Sequence, residues 1–316
     1  MIIEEILNIA GIKTKETMTE TTQQHELNII PVRHFDFEFP ESLDPMWVPD
    51  NPYRAHFLNG VSLTMPYLEP FLCKTMREAL QFVDDEQLRE DMRGFIGQEA
   101  QHYRCHRRLN ERLTKNGHPQ FAEIEKRIAD SYDRLAERSM RTRLAYSAGF
   151  ECMTNGFTNW LIGDRKALFQ HAQADVTSFW LAHMAEECEH KTVAFDVYKK
   201  LYGAYWPRAL GVIHGSAHVL GLGCVGMLSA LGRDSSDSLF RRTWGVVCQL
   251  SAIVVNVGPF MLRALGPKYN PRQESEPEWL DQWLSFNAEV DNQGPMPVID
   301  TSSEEMGLPL RSQPAT

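Results

Sequence analysis

His183-Met184-Ala185-Glu186-Glu187-Cys188-Glu189-His190 lies inside residues 166–202, a run with neither proline nor glycine. Read as a helix, it places side chains three and four positions apart on one face, so His183, Glu187 and His190 project together. Glu186 and Glu189 then turn outward. The face offers two imidazoles and a carboxylate. A second such face lies in Phe95-Ile96-Gly97-Gln98-Glu99-Ala100-Gln101-His102, with His106 one turn further on. Two Glu-x-x-His faces on separate helices can hold a pair of metal ions in the core of a helical bundle if two further helices each add a carboxylate.

Working outward, the pattern predicts four long helices, over 63–82, 86–115, 119–162 and 167–201. Pro66 and Pro70 would kink the first or delay its start, Asp84-Asp85 would cap the second, and Asn116-Gly117 would stop it. Glu69 falls in the first and Glu151 in the third. The order is therefore Glu, Glu-x-x-His, Glu, Glu-x-x-His, with one group per helix. Each lone Glu precedes its partner motif by the distance needed to rise one helix, turn and return to the same level. Glu69 sits among Met65, Tyr67, Leu68, Phe71 and Leu72, and Glu151 inside Ala145-Tyr146-Ser147-Ala148-Gly149-Phe150-Glu151-Cys152-Met153. An ionised carboxylate in such surroundings is costly unless a cation compensates it. The candidate ligands are Glu69, Glu99, His102, Glu151, His183, Glu187 and His190. His183 reads as a third imidazole ligand or as a core histidine bonded to a carbonyl, and His106 as an outer group or a solvent-facing one. Cys73, Cys105, Cys152 and Cys188, each within a turn of a candidate, read as small buried fillers.

The rest of the chain bounds the function. Its 316 residues carry a net charge of -10 with basic residues scattered, which argues against nucleic acid as a partner. Six separated cysteines without a Cys-x-x-Cys pair indicate neither a zinc knuckle nor a disulfide scaffold, and suit a reduced cytoplasm. The N-terminus lacks the basic and apolar regions of a secretory signal. Residues 1–25 read as loosely ordered. Ile30, Val32, Phe35, Phe37 and Phe39 alternate with polar residues, predicting a short strand or extended arm over 28–39. Prolines 40, 45, 49 and 52 then argue against regular structure, so 1–58 reads as an N-terminal arm around a bundle at 59–204. Residues 209–231 and 244–262 contain no charged side chain. The first is long enough to span a bilayer and the second is marginal. Many small residues, His214, His218 and Pro259 point instead to helices packed on the bundle or in a homodimer interface, with a membrane hairpin as the alternative for 205–270. Residues 271–316 read as one short helix near 279–286 followed by a flexible tail.

Through Phe95-Ile96-Gly97-Gln98-Glu99-Ala100-Gln101-His102, Trp160 after Glu151, and His183-x-x-x-Glu187-x-x-His190-Lys191-x-Val193-Ala194-Phe195-Asp196-Val197-Tyr198, the chain resembles the bacterial ferritin-like proteins labelled predicted metal-dependent hydrolases. The likeness covers roughly residues 30–265. It implies an all-α, ferritin-like four-helix bundle with a binuclear metal site at the positions above. The chain departs from that family at Leu68-Glu69-Pro70, where members commonly show Gly-Glu. The His183 to His190 face is also similar to that of the di-iron arylamine N-oxygenases, in which an additional histidine joins four carboxylates and two histidines.

Carboxylate-rich ligation with two or three imidazoles suits two iron ions, with manganese or zinc as alternatives. Neither a Gly-x-Ser-x-Gly elbow nor a Gly-rich phosphate loop is present, so any hydrolysis must come from the metals. By analogy with bundle-core carboxylate sites, the expected activity is that of a non-haem di-iron oxidase or oxygenase on an apolar small molecule, supplied by an electron donor. A binuclear metal-dependent hydrolase is the alternative, and a non-catalytic ferritin-like metal-binding protein a third reading.

Overall fold

Of the prolines that argue against regular structure before residue 59, only the last starts a helix, and residues 40–49 hold only turns and bends. In the computed structural model, which describes residues 29–49, 51–234, 238–288 and 296–309, α1 spans Pro52–Ser62. Pro52 occupies the first turn, where no backbone donor is needed, and the Asn51 side chain accepts from the Arg54 amide at 3.0 Å. The expected boundary at 58/59 therefore falls inside a helix. The next helix, α2, begins at Met65 and runs to Ala79, so Pro66 too sits in a first turn, and Pro70 is carried within the helix. A 3₁₀ turn, Leu80–Phe82, completes the predicted span.

α3 spans Glu86–Lys115 as predicted, with the Asp85 carboxylate accepting from the Leu88 amide. The predicted third helix is two: α4, Phe121–Ala136, and α5, Met140–Gly163, whose Ser139 hydroxyl caps Thr142. The predicted fourth is three: α6, Arg165–Phe169; α7, Ala174–His190; and α8, Val193–Leu201. The break at 170–173 needs no proline or glycine because tertiary partners hold it. His171 takes a φ of 62° while its amide donates to the Thr301 carbonyl, and the Gln173 amide donates to that of Trp47.

Helices α2, α3, α7 and α5, in that order, form a closed ring in which each touches the next, giving the all-α bundle expected. Between residues 144 and 162 the only charged side chain is Glu151, and nearly every residue of α5 is buried, as befits a helix apolar on all sides. α9, Tyr205–Asp234, and α10, Leu239–Ala264, lie against the outer side of α5, and α9 also packs on α1. Glycine permits this approach: a methyl group at Gly211 would collide with the Ala145 carbonyl, and one at Gly60 with that of Gly223.

Before the bundle, residues 29–39 are extended but form no strand, and no strand occurs among the described residues. The alternation survives in burial, with Arg33, Phe35, Phe37 and Phe39 inward and His34 and Glu38 outward. Side-chain amides of α3 take the place of a neighbouring strand: Gln98 donates to the Pro31 carbonyl, and Gln101 donates to that of Arg33 and accepts from the Phe35 amide. At the other end, α11 spans Glu278–Ala288. Residues 296–309 are packed rather than loose, with Ile299 and Met306 buried and the Ile299 amide donating to Ser178. The reading of residues 1–25 as loosely ordered, and that of the last residues as a flexible tail, lie outside the described residues.

Candidate metal centre

The ring of helices brings all seven candidate ligands to one level. Glu69 (α2), Glu99 and His102 (α3), Glu151 (α5), and His183, Glu187 and His190 (α7) are each at most 3% exposed. Glu99, Glu151, Glu187 and His190 could share one ion, as could His102, Glu187 and His190, and a further group joins Glu69 and His183 with His106. Glu187 is central: its Oε1 lies 2.9 Å from His183 Nε2 and 3.9 Å from both His102 Nδ1 and His190 Nε2. Glu69 Oε1 is 3.7 Å from His183 Nε2, and His190 Nδ1 is 3.6 Å from Glu151.

Chemistry, beyond proximity, fits a metal here. Both carboxylate oxygens of Glu69, Glu99 and Glu151, Glu187 Oε2, His102 Nδ1 and both His190 nitrogens are buried with no hydrogen-bond partner among the described residues. Burial, reinforced by the neighbouring carboxylates, holds Glu69, Glu99 and Glu151 well above the ordinary carboxylate range. Two divalent cations would cancel the charge of the four carboxylates. Phe35 and Phe95 pack edge-on to His102 and His190, with ring centroids 4.7 Å apart in each pair, which fixes the imidazole planes.

Hydrogen bonding decides which imidazole nitrogens are open. Asn110 Nδ2 donates to the Ser62 carbonyl, so its Oδ1 accepts the Ser62 hydroxyl proton at 2.7 Å. Ser62 Oγ must then accept from His106 Nδ1, at 2.8 Å, and neutral His106 accepts through Nε2 from His183 Nδ1, at 3.0 Å. Burial, then His183, depresses the His106 pKa well below its ordinary value and keeps that ring neutral. The chain ends at His183, whose Nε2 lies 2.9 Å from Glu187 Oε1 and, in a neutral ring donating through Nδ1, would offer its lone pair to a metal ion there. His106 is thus a buried group behind His183, never a solvent-facing one. His106→Phe should weaken metal binding by roughly ten- to a hundredfold without unfolding the chain, the range seen when an outer partner of a ligating histidine is lost. Titration of the metal-free protein with Mn(II) or Zn(II) measures it.

Glu186 and Glu189 do not face outward. Glu186 is fully buried, accepts from His102 Nε2 at 2.8 Å and meets Arg33, while Glu189 binds Arg33 and Gln98. Burial pushes the Glu186 carboxyl up to about 8, with Arg33 opposing the rise. By holding one nitrogen of His102, Glu186 turns the other, Nδ1, into the site, an arrangement common behind metal-ligating histidines. Two signals for this were present in the sequence. Residues 176–188 offer no polar face on which Glu186 could reach water, and Arg33 shares the inward register of Phe35, Phe37 and Phe39. Ser62 and Asn110 carry no comparable signal.

A small apolar cavity, of about 30 Å³, touches the centre. Leu58, Met65, Phe150, Phe157, Trp180 and Val219 line it, and His183 and Glu187 border it.

The site and the helical body agree with the outcome of comparison with known proteins. The chain matches the family described as "Predicted metal-dependent hydrolase" over residues 31–275, and it belongs to that family. Comparison with curated proteins and with solved structures gives no match.

Proposed function

We propose that the chain is a metal-dependent hydrolase in which Glu69, Glu99, His102, Glu151, His183, Glu187 and His190 hold two metal ions, and that its substrate is a small molecule with an apolar portion. The observation that carries this reading is three buried carboxylates, those of Glu69, Glu99 and Glu151, with no hydrogen-bond partner among the described residues, set beside Glu187 and imidazole nitrogens turned inward. Metal ions bound there would supply Lewis acidity and an activated water. Family membership favours hydrolysis over the oxidase or oxygenase expected by analogy.

The chain's own residues supply the rest. Glu99, Glu151, Glu187 and His190 would hold one ion and Glu69 and His183 the other, with Glu187 within reach of His102, His183 and His190 alike. Glu186, clamped by Arg33, holds His102 in orientation. The apolar wall excludes bulk water, and its cavity of about 30 Å³ must widen to receive the hydrophobic part of a substrate. Thr154, on that wall, turns its hydroxyl back to the Phe150 carbonyl at 3.2 Å, so recognition rests on shape and apolar contact.

A second reading, a non-haem di-iron oxidase with an external electron donor, draws on that same wall, which offers no acid to protonate a leaving group away from the metals. A metal-free preparation reconstituted separately with Mn(II), Zn(II) and Fe(II) separates the two. The hydrolase reading expects turnover of ester or phosphoester substrates with Mn(II) or Zn(II) and no oxygen uptake. Oxygen uptake upon Fe(II) loading, with no hydrolysis under any metal, would replace it by the oxidase. Stable loading with neither activity would leave a metal-binding protein.

A further inference from the structure

The two C-terminal apolar helices leave a surface that the metal site does not account for. Along α9, Trp206, Leu210, Ile213, Ala217, Gly221, Val225 and Leu228 are exposed and recur at helical spacing, forming one continuous stripe. α10 is more open still. Only 17% of its most apolar window is buried, whereas Phe240, Trp244, Val254, Val255 and Leu262 are each more than 60% exposed. The rings of Trp206, Phe240 and Trp244 alone present on the order of 400 Å² of apolar surface, about as much as the largest patch on an ordinary soluble monomer.

We propose that this outer face seats in the interfacial layer of a lipid bilayer carrying anionic headgroups, with both helices lying in the membrane plane. Three observations lead there. First, residues 205–273 hold seven basic residues against two acidic ones, in a chain of net charge -10; Arg208 is buried and Arg263 and Arg272 pair with Glu274 and Asp196, while Arg233, Arg241, Arg242 and Lys268 flank the helix ends. Positive charge beside an apolar stripe complements an anionic lipid surface. A two-fold dimer through the same face would bring like charges together. Second, Trp206 and Trp244 are 71% and 61% exposed, and indole rings favour the boundary between headgroups and acyl chains. Third, the helices cannot span. The inner side of α9 is sealed to the bundle along its length, through Gly211 and Gly215 against α5 and through Gly223 and Gly226 against α1. Crossing a bilayer would carry α1, α5 and the charged α4 into the hydrocarbon.

The test uses the full-length, metal-loaded chain in flotation with vesicles of phosphatidylcholine, with and without phosphatidylglycerol. The protein should float with the anionic vesicles, less with phosphatidylcholine alone, and less as salt is raised. The double variant Val254→Glu, Val255→Glu should bind at least about tenfold more weakly while keeping its helical circular dichroism and metal content, because both side chains point away from the core. Absence of flotation with either vesicle overturns the proposal, and a dimer dissociated by those two substitutions would assign the face to a second copy of the chain. Resistance to alkaline carbonate extraction from the vesicles would overturn the in-plane placement.

Discussion

Glu187→Gln is expected to remove at least half of the bound metal and to lower the affinity for what remains by more than about a hundredfold, a larger loss than any outer partner of a ligand would cause. The side chain is central because its Oε1 is within 3.9 Å of one nitrogen on each of His102, His183 and His190. The amide keeps the volume and one acceptor oxygen but loses the charge. Elemental analysis after dialysis against buffered Mn(II) or Zn(II) reads the effect. The metal-free variant should still fold and unfold cooperatively, because the amide fills the same volume and can donate to the His183 Nε2 that Glu187 Oε1 faces at 2.9 Å. Loss of metal together with loss of folding would show instead that Glu187 is structural. Glu186→Gln provides the contrast. It retains an acceptor for His102 Nε2 but weakens the contact with Arg33, so metal content should persist while affinity falls modestly.

How much of this was legible before the fold was known varies with the kind of signal. The convergence of the seven candidate side chains was, because each is a chemically expensive residue in an apolar setting and helical periodicity alone puts His183, Glu187 and His190 on one face. The boundaries of α3 were, since Asp85 and Asn116 are local signals. The break at His171 was not, because its partners Thr301 and Trp47 are distant in sequence. The extended arm was read correctly in its alternation and left open between strand and arm, as periodicity cannot say whether a strand or the amides of Gln98 and Gln101 will meet the backbone. Glu186 was assigned by helical geometry to the outside of α7, a rule that presumes the helix has an outside. Here α7 is enclosed on that side by α3 and Arg33, and the acid became a partner of His102.

Removing the metal should make stability fall as pH rises above 6.5, while the loaded protein shows no such fall. In the metal-free chain burial and mutual repulsion keep protons on Glu69, Glu99 and Glu151 that the unfolded chain releases above its ordinary value of 4.5. The folded state then binds more protons than the unfolded one, so their contribution is complete below pH 4.5 and is lost as pH rises toward the elevated folded values. His102 and His106 act in the opposite sense. Burial holds both well below 6.5, so they favour the folded state above that pH and lose this contribution as acid protonates the unfolded chain. Between 4.5 and 6.5 the two effects oppose each other, and above 6.5 the acids act alone. Each retained proton changes stability by about 1.4 kcal/mol per pH unit, so the three acids contribute up to about 4 kcal/mol per unit, to which Glu186, raised to about 8, adds below that pH. Denaturant unfolding at pH 6.5, 7.5 and 8.5, with chelator and with Mn(II), measures both slopes. Cation binding requires these carboxylates ionised, so it displaces their protons and strengthens with pH, which removes or reverses the decline. Parallel curves for the two forms would mean that the buried acids are already ionised without metal, and that the charge of the centre is balanced by something other than the cations.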